Sequence, residues 1–220
     1  MRNRTENQIE LFLIRHGETA SNQEHRYLGW TEEPLSPVGK QQLEKLKEQG
    51  IYPDPEEISF LFVSPMLRCW ETAQWLFGKK EQIVIPEFKE IHFGLFEGKN
   101  YLDLQGNEQY QAWIDSNGTL PFPEGESREE FCSRCNQGFV RMLQICKQQE
   151  DRIRNADEKE PQRLKIAAVV HGGTMMAVLS SFSQGSYYDF QVGNGEGYRC
   201  EITVPEQEEV PLVSDIHKLI

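Results

Sequence analysis

The chain carries a near-continuous apolar run, Ile9-Glu10-Leu11-Phe12-Leu13-Ile14, that stops abruptly at Arg15-His16-Gly17-Glu18-Thr19. A second run, Leu164 to Val170, stops at His171-Gly172-Gly173-Thr174. Runs of this kind predict strands of a parallel sheet buried on both faces, since half-exposed strands alternate instead. Ile58 to Val63 and Ile83 to Ile85 predict two more strands. Ser36-Pro37 opens a helix through Gln49, with Ser as cap, Pro in first position and Gly50 past the end. Ser64-Pro65 repeats that start signal, and Met66, Cys69, Trp70, Ala73, Leu76 and Phe77 form the apolar face of a helix that stops at Gly78.

Ser127 with Glu130 makes a capping box for a long helix to about Glu150, followed by a polar connector, Asp151 to Gln162. The last apolar helix runs from Met175 to Phe182. Tyr198 to Val204 alternates as a late edge strand would, and the acidic tail beyond Pro205 reads as solvated. Between Asn100 and Glu126 the composition turns to aromatic, Gly, Pro and Asn residues around short helical pieces, an excursion resembling a lid. Strands alternating with helices imply a layered α/β domain, expected to be one domain over residues 1–220.

Charge and cysteine usage narrow the classes of function. The net charge of -12, from 23 basic and 35 acidic side chains, argues against a nucleic-acid or anionic-membrane surface. An anionic substrate would need a local basic pocket. Five cysteines, an odd number, do not suggest a disulfide framework, and Met1 to Glu10 has no apolar signal core. Apolar runs are strand-sized, far below the roughly 20 residues that span a bilayer. A cytoplasmic protein is expected, with its oligomeric state left open.

The candidate chemistry sits at the strand ends, where open α/β sheets hold ligands. The fixed fork of Arg15 suits a phosphate, and His16 can serve as nucleophile or acid and base near neutral pH. Alternatively, the segment is a surface turn. Arg68 lies in the first turns of its helix, where a cation is disfavoured by roughly 0.3–1 kcal/mol unless an anion is near. It either reaches into solvent or forms a second arm of a clamp. In Glu90-Ile91-His92-Phe93-Gly94-Leu95-Phe96-Glu97-Gly98, Glu90 is an ordinary loop acid or a carboxyl that holds a proton for a leaving group, while Glu97 reads as structural.

A metal held by His16, His92, His171 and Glu90 would be repelled by two arginines, and no His-Glu-x-x-His or paired-cysteine spacing supports one. Cys132-x-x-Cys135 has no second pair. No metal and no cofactor are expected. Trp113, Tyr101, Tyr110 and Phe122 either pack beneath the excursion or line a pocket.

Arg15-His16-Gly17-Glu18-Thr19, then Asn22, Ser64-Pro65-x-x-Arg68, Glu90-x-x-Phe-Gly-x-x-Glu-Gly and His171-Gly172 together resemble the histidine phosphatase superfamily, the phosphoglycerate mutase-like proteins. The match runs in order along nearly the whole chain. Within that group, Tyr27 to Ser36 and Phe122-Pro123-Glu124-Gly125-Glu126-Ser127 are similar to α-ribazole phosphatases. The resemblance implies a three-layer fold with a mostly parallel central sheet flanked by helices and a short lid. It also implies that His16 becomes phosphohistidine, that Arg15, Arg68 and His171 hold phosphoryl oxygens with Asn22 and Gly172 beside them, and that Glu90 donates the proton. Asn194, in Gly193-Asn194-Gly195, matches the family's late pocket turn, and Trp113, Tyr101 and Phe122 become candidate substrate contacts.

The expected partner is a small phosphorylated metabolite. The excursion between Gly98 and Ser127 is shorter than the insertions of the family's mutases, which favours hydrolysis, with α-ribazole 5'-phosphate as the expected substrate. The rivals are a broad phosphatase, a phosphoglycerate mutase, and a binding protein without turnover.

Overall fold

A computed structural model describes residues 7–156, 163–204 and 210–220. Six strands form one sheet in the order β3-β2-β4-β1-β5-β6. β1 (Asn7–Arg15), β2 (Phe60–Val63), β3 (Gln82–Val84) and β4 (Leu164–Val170) run parallel, while β5 (Gly197–Val204) and β6 (Leu212–Lys218) are antiparallel additions on the β1 side. Helices follow the strands: α1 (Ala20–Gln23), α2 (Pro37–Glu48), α3 (Leu67–Phe77), α4 (Glu108–Asp115), α5 (Arg128–Ala156) and α6 (Gly172–Phe182).

The period-two geometry of the strands separates the two cores, because successive side chains point to opposite faces. Leu11, Leu13, Phe62, Ile166, Ala168 and Val170 meet Phe131, Phe139 and Met142 of α5 and Met175, Val178 and Leu179 of α6. Their neighbours Phe12, Ile14, Leu61, Val63, Ala167 and Val169 meet Leu43 of α2 and Cys69, Ala73 and Leu76 of α3. The result is the expected three-layer α/β arrangement with a mostly parallel sheet.

Register brings the chemistry together. Arg15 lies opposite Val170 across the β1–β4 ladder, and Val63 lies opposite Val169 across β2–β4. The turns after three neighbouring strands therefore open side by side at the carboxyl edge of the sheet. They carry His16, Ser64 and His171.

Four expectations are corrected. β5 is an interior strand, paired on both sides, because the tail forms β6. The signal was weak because β6 has the charged, mostly exposed pattern of an edge strand. Helix α5 continues to Ala156, past the expected end, into the first half of the polar connector, whose residues 157–162 lie outside the described part, as do the first tail residues 205–209. Helix α3 starts two residues later than the Ser-Pro signal, with Met66 as cap and Trp70 facing out at 41% exposure. Helix α6 begins at Gly172, capped by His171, rather than at Met175.

Candidate active site

The turn after β1 carries His16, almost fully buried, directly after Arg15, which lines a cleft. Its Nδ1 lies 2.7 Å from the Gly17 carbonyl. A carbonyl only accepts, so Nδ1 carries the hydrogen and Nε2 keeps a lone pair. Burial, followed by the positive charges of Arg68 and Arg15, holds the imidazole well below its ordinary pKa. Both effects favour a neutral His16 with its lone pair on Nε2. Thr72 braces the turn, accepting from Gly17 N–H at 2.9 Å and donating to the Arg68 carbonyl at 2.7 Å.

Two arginines flank it. Arg68 is fully buried, and its Nη atoms donate to the carbonyls of Thr31 at 3.1 Å and Gly29 at 2.8 Å. Arg15 donates through Nη1 to the Val192 carbonyl at 2.7 Å. Each guanidinium keeps a buried Nε–H with no partner among the described residues. An unpaired buried donor costs about 1–3 kcal/mol, more when charged, so two on arginines that both act on His16 fit a site completed by an anion.

His171, at the end of β4, is also fully buried and its ring stands edge-on to His16 at 5.2 Å between centroids. Its Nε2 lies 2.7 Å from Ser64 Oγ, which holds the ring from the β2 side. Here too burial is the main cause of a pKa well below the ordinary value, with Arg68 next. Glu90 also lines the cleft, accepting from Ile91 N–H at 2.9 Å and from Gly173 N–H, two residues past His171, at 3.2 Å. A Cβ at position 173 would stand 2.4 Å from Glu90 Oε1, so the carboxyl needs glycine there. Burial raises the Glu90 pKa against the pull of those hydrogen bonds and of both arginines. The arrangement sets a neutral imidazole and a carboxyl of raised pKa beside the same two arginines.

The cleft has a volume of about 580 Å³, with Arg15, Glu90, Gly172 and Gly173 at its inner end. Phe93, Trp113 and Phe122 form one outer wall, and Arg128, Tyr187, Tyr188 and Gln191 face it. Trp113 and Phe122 also stack on each other at 4.8 Å, so packing and pocket lining are not exclusive for them. Tyr101 is 60% exposed and lies outside this lining. Asn194 sits behind His16 and is not part of the aromatic wall, donating to the His16 carbonyl at 3.2 Å and to Asn22 Oδ1 at 3.1 Å. Asn22 Oδ1 also closes the capping box of α1 with Thr19. Among the described residues no cluster of three or more His, Cys, Asp or Glu is placed to hold a metal, and His92 instead packs against Trp30 at 4.7 Å.

Residues 11–210 match the histidine phosphatase superfamily, branch 1. The chain belongs to that superfamily. Its relatives by sequence include the 2,3-bisphosphoglycerate-dependent phosphoglycerate mutase of Staphylococcus epidermidis, 30% identical over 88% of this chain and 94% of that one. The chain spans about half the length, 52%, of the corresponding mutase of Bifidobacterium longum, at 28% identity. Among solved structures, the α-ribazole phosphatase of Shigella flexneri shares the fold with a TM-score of 0.71 at 21% identity, over 94% of this chain and 95% of that one. A mutant phosphoserine phosphatase of Entamoeba histolytica, solved with phosphoserine, has a TM-score of 0.67 at 26% identity, over 94% and 96% of the two chains.

Within the histidine phosphatase frame several site residues escaped the sequence reading. Thr72 lies mid-helix with no motif to mark it. Tyr187, Tyr188 and Gln191 are distant in sequence from the lid whose cleft they share, and Arg128 reads as an ordinary first-turn residue of α5. Ser64 reads in sequence as a helix cap, whereas its hydroxyl holds His171. Glu97, expected to be structural, gathers Gly29 N–H, Trp30 N–H and the Thr31 hydroxyl at 2.9–3.1 Å. No described helix is long and apolar enough to cross a membrane.

Proposed function

We propose that this protein is a phosphomonoesterase working through a phosphohistidine at His16. The observation that carries the reading is the neutral imidazole, its Nδ1 fixed by Gly17, beside the buried Arg68 and the half-buried Arg15, each with a buried, unpaired Nε donor. In the first step His16 Nε2 attacks phosphorus and the ester P–O bond breaks. Arg15, Arg68 and His171 face the charge on the equatorial oxygens. Glu90 gives its proton to the leaving alkoxide. In the second step the Glu90 carboxylate takes a proton from water as that water attacks phosphorus, the P–N bond breaks, and inorganic phosphate and neutral His16 are restored.

The substrate proposed is a small phosphate ester with a flat, largely apolar leaving group, α-ribazole 5'-phosphate above others. The aromatic outer wall suits a benzimidazole-like base, and the Shigella α-ribazole phosphatase shares the fold. Similarity to phosphoglycerate mutases supports a second reading, mutase activity on phosphoglycerates. Labelled substrate followed by alkaline quenching should trap an acid-labile phosphoprotein that His16→Ala does not form. Label retained by that variant would refute the mechanism. Comparing kcat/KM for α-ribazole phosphate, 3-phosphoglycerate and nitrophenyl phosphate decides the substrate, and isomerisation of phosphoglycerate would favour the mutase.

A further inference from the structure

Glu90 stands on backbone that has no ladder of its own. The segment runs from a single 3-10 turn, Pro86–Phe88, through irregular residues to another, Gly94–Phe96. A side chain from α5 gathers three of its carbonyls, while Trp30 Nε1 donates to that of Glu90 at 2.9 Å. Arg134 donates through Nη1 to the carbonyls of Glu87 and Lys89, both at 2.8 Å, and through Nη2 to the carbonyl of Glu90 at 3.3 Å. The same guanidinium grips Glu126 with Nε at 2.9 Å and Nη2 at 2.7 Å. Glu126 in turn accepts from His92 N–H at 2.9 Å, while its own N–H donates to the His92 carbonyl at 2.9 Å. Residues on both sides of Glu90 are thus tied to one planar fork, three of its contacts being carbonyls that a strand neighbour would otherwise satisfy.

We propose that Arg134, oriented by Glu126, is a positioning residue for Glu90, fixing the reach of its carboxyl toward the leaving-group oxygen. This rests on the reading of Glu90 as general acid given above. Glu126 is also the end of the lid excursion, so the fork fixes the acid and the root of the lid as one unit. A lysine in place of Arg134 keeps the positive charge presented toward His171 but loses the fork.

The test is leaving-group dependence. Misplacing a catalytic group by about 1 Å can cost on the order of 10²-fold, and acid catalysis matters only where the leaving group needs a proton. Arg134→Lys should lower kcat on an alkyl phosphate by about 10- to 100-fold. On nitrophenyl phosphate kcat should stay within about threefold, with KM little changed for either ester. In a Glu90→Gln background the same substitution should add almost nothing on the alkyl ester, since it acts through the group already removed. Equal losses on both esters, a raised KM with kcat preserved, no loss, or full additivity with Glu90→Gln would each overturn the proposal. If thermal unfolding shows that Arg134→Lys does not fold, Glu126→Gln takes its place, with a smaller loss of the same selectivity expected and an unselective one fatal. An unaltered chain that hydrolyses neither ester would instead overturn the phosphatase reading, and with it any role for Arg134 in that reaction.

Discussion

The two ends of the cleft are built from different material. At the inner end, His16 and His171 stand at the carboxyl ends of β1 and β4, and Arg68 in the first turn of α3, all buried and anchored to strands whose apolar residues are almost wholly enclosed. The outer end consists of a short helix, α4, that buries none of its residues, a loop bearing Phe122, and the 3-10 turn Tyr187–Phe190. On the proposed reading the phosphoryl group, the same in every candidate substrate, would be met by rigid cations. The leaving group, which varies, would meet loops that can change without disturbing the sheet. Glu90 belongs to the inner end by position but stands on irregular backbone like the outer one, clamped by Arg134.

The contrast can be broken most strongly at Glu90. Glu90→Gln should slow an alkyl phosphate by about 10²–10⁴-fold while sparing nitrophenyl phosphate, whose phenolate leaves unaided. Equal effects on both would place the acid elsewhere. Arg68→Met attacks the inner end proper and should lower kcat by about 10²–10³-fold on every ester alike. It also strips donors from the Leu28, Gly29 and Thr31 carbonyls, so the melting temperature should fall with a loss of about 1–3 kcal/mol.

The inner end should also show in the pH dependence of stability. His16 and His171 both have folded pKa values below the ordinary 6.5, chiefly through burial. A group depressed in the fold contributes stability above its unfolded pKa and loses it as pH falls. Between pH 7 and 5 stability should therefore decline, each histidine contributing up to about 1.4 kcal/mol per pH unit. Glu90, raised by burial, has the opposite sign: its contribution is complete below the ordinary 4.5 and declines as pH climbs through its folded value. Thermal unfolding of His16→Asn should show a shallower decline than the unaltered chain, and an unchanged slope would mean that His16 titrates normally.

The outer end should give the smallest effects and the most selective ones. Trp113→Ala removes a ring that lines the cleft and should weaken binding of an aromatic leaving group by about 0.5–1.5 kcal/mol, leaving 3-phosphoglycerate unaffected. Tyr101→Ala, at an exposed position off the cleft, should change neither activity nor stability by more than about 0.5 kcal/mol. A substrate-dependent loss at Tyr101 would mean that the lid closes further over the ligand.

Much of the inner end was legible because strand-terminal motifs are local. Arg15-His16-Gly17 and His171-Gly172 each announce a buried strand and its functional turn within a few residues. Arg68 announced itself by sitting on the wrong end of a helix dipole, and the unpaired Nε gives the reason. The outer wall was only half legible: Trp113 and Phe122 line the cleft as one of their two possible fates, Tyr101 does not, and Arg128 with Tyr187 and Tyr188 carried no signal. Asn194 was marked by its Gly-flanked turn, yet its hydrogen bonds place it behind His16, where it supports the nucleophile's backbone.

The sequence by itself determined the alternation of strands and helices, the residue types at each strand end and the order of the motifs, because hydrophobic periodicity, caps and turn chemistry act over a few residues. Only the tertiary structure decided that three distant turns share one edge of a sheet, that burial leaves His16 neutral while raising Glu90, and that Arg134 clamps the acid from another helix. It also decided that the polar tail completes the sheet as β6. These depend on register, desolvation and carbonyls left open by irregular backbone, none of which exists until the chain has closed on itself.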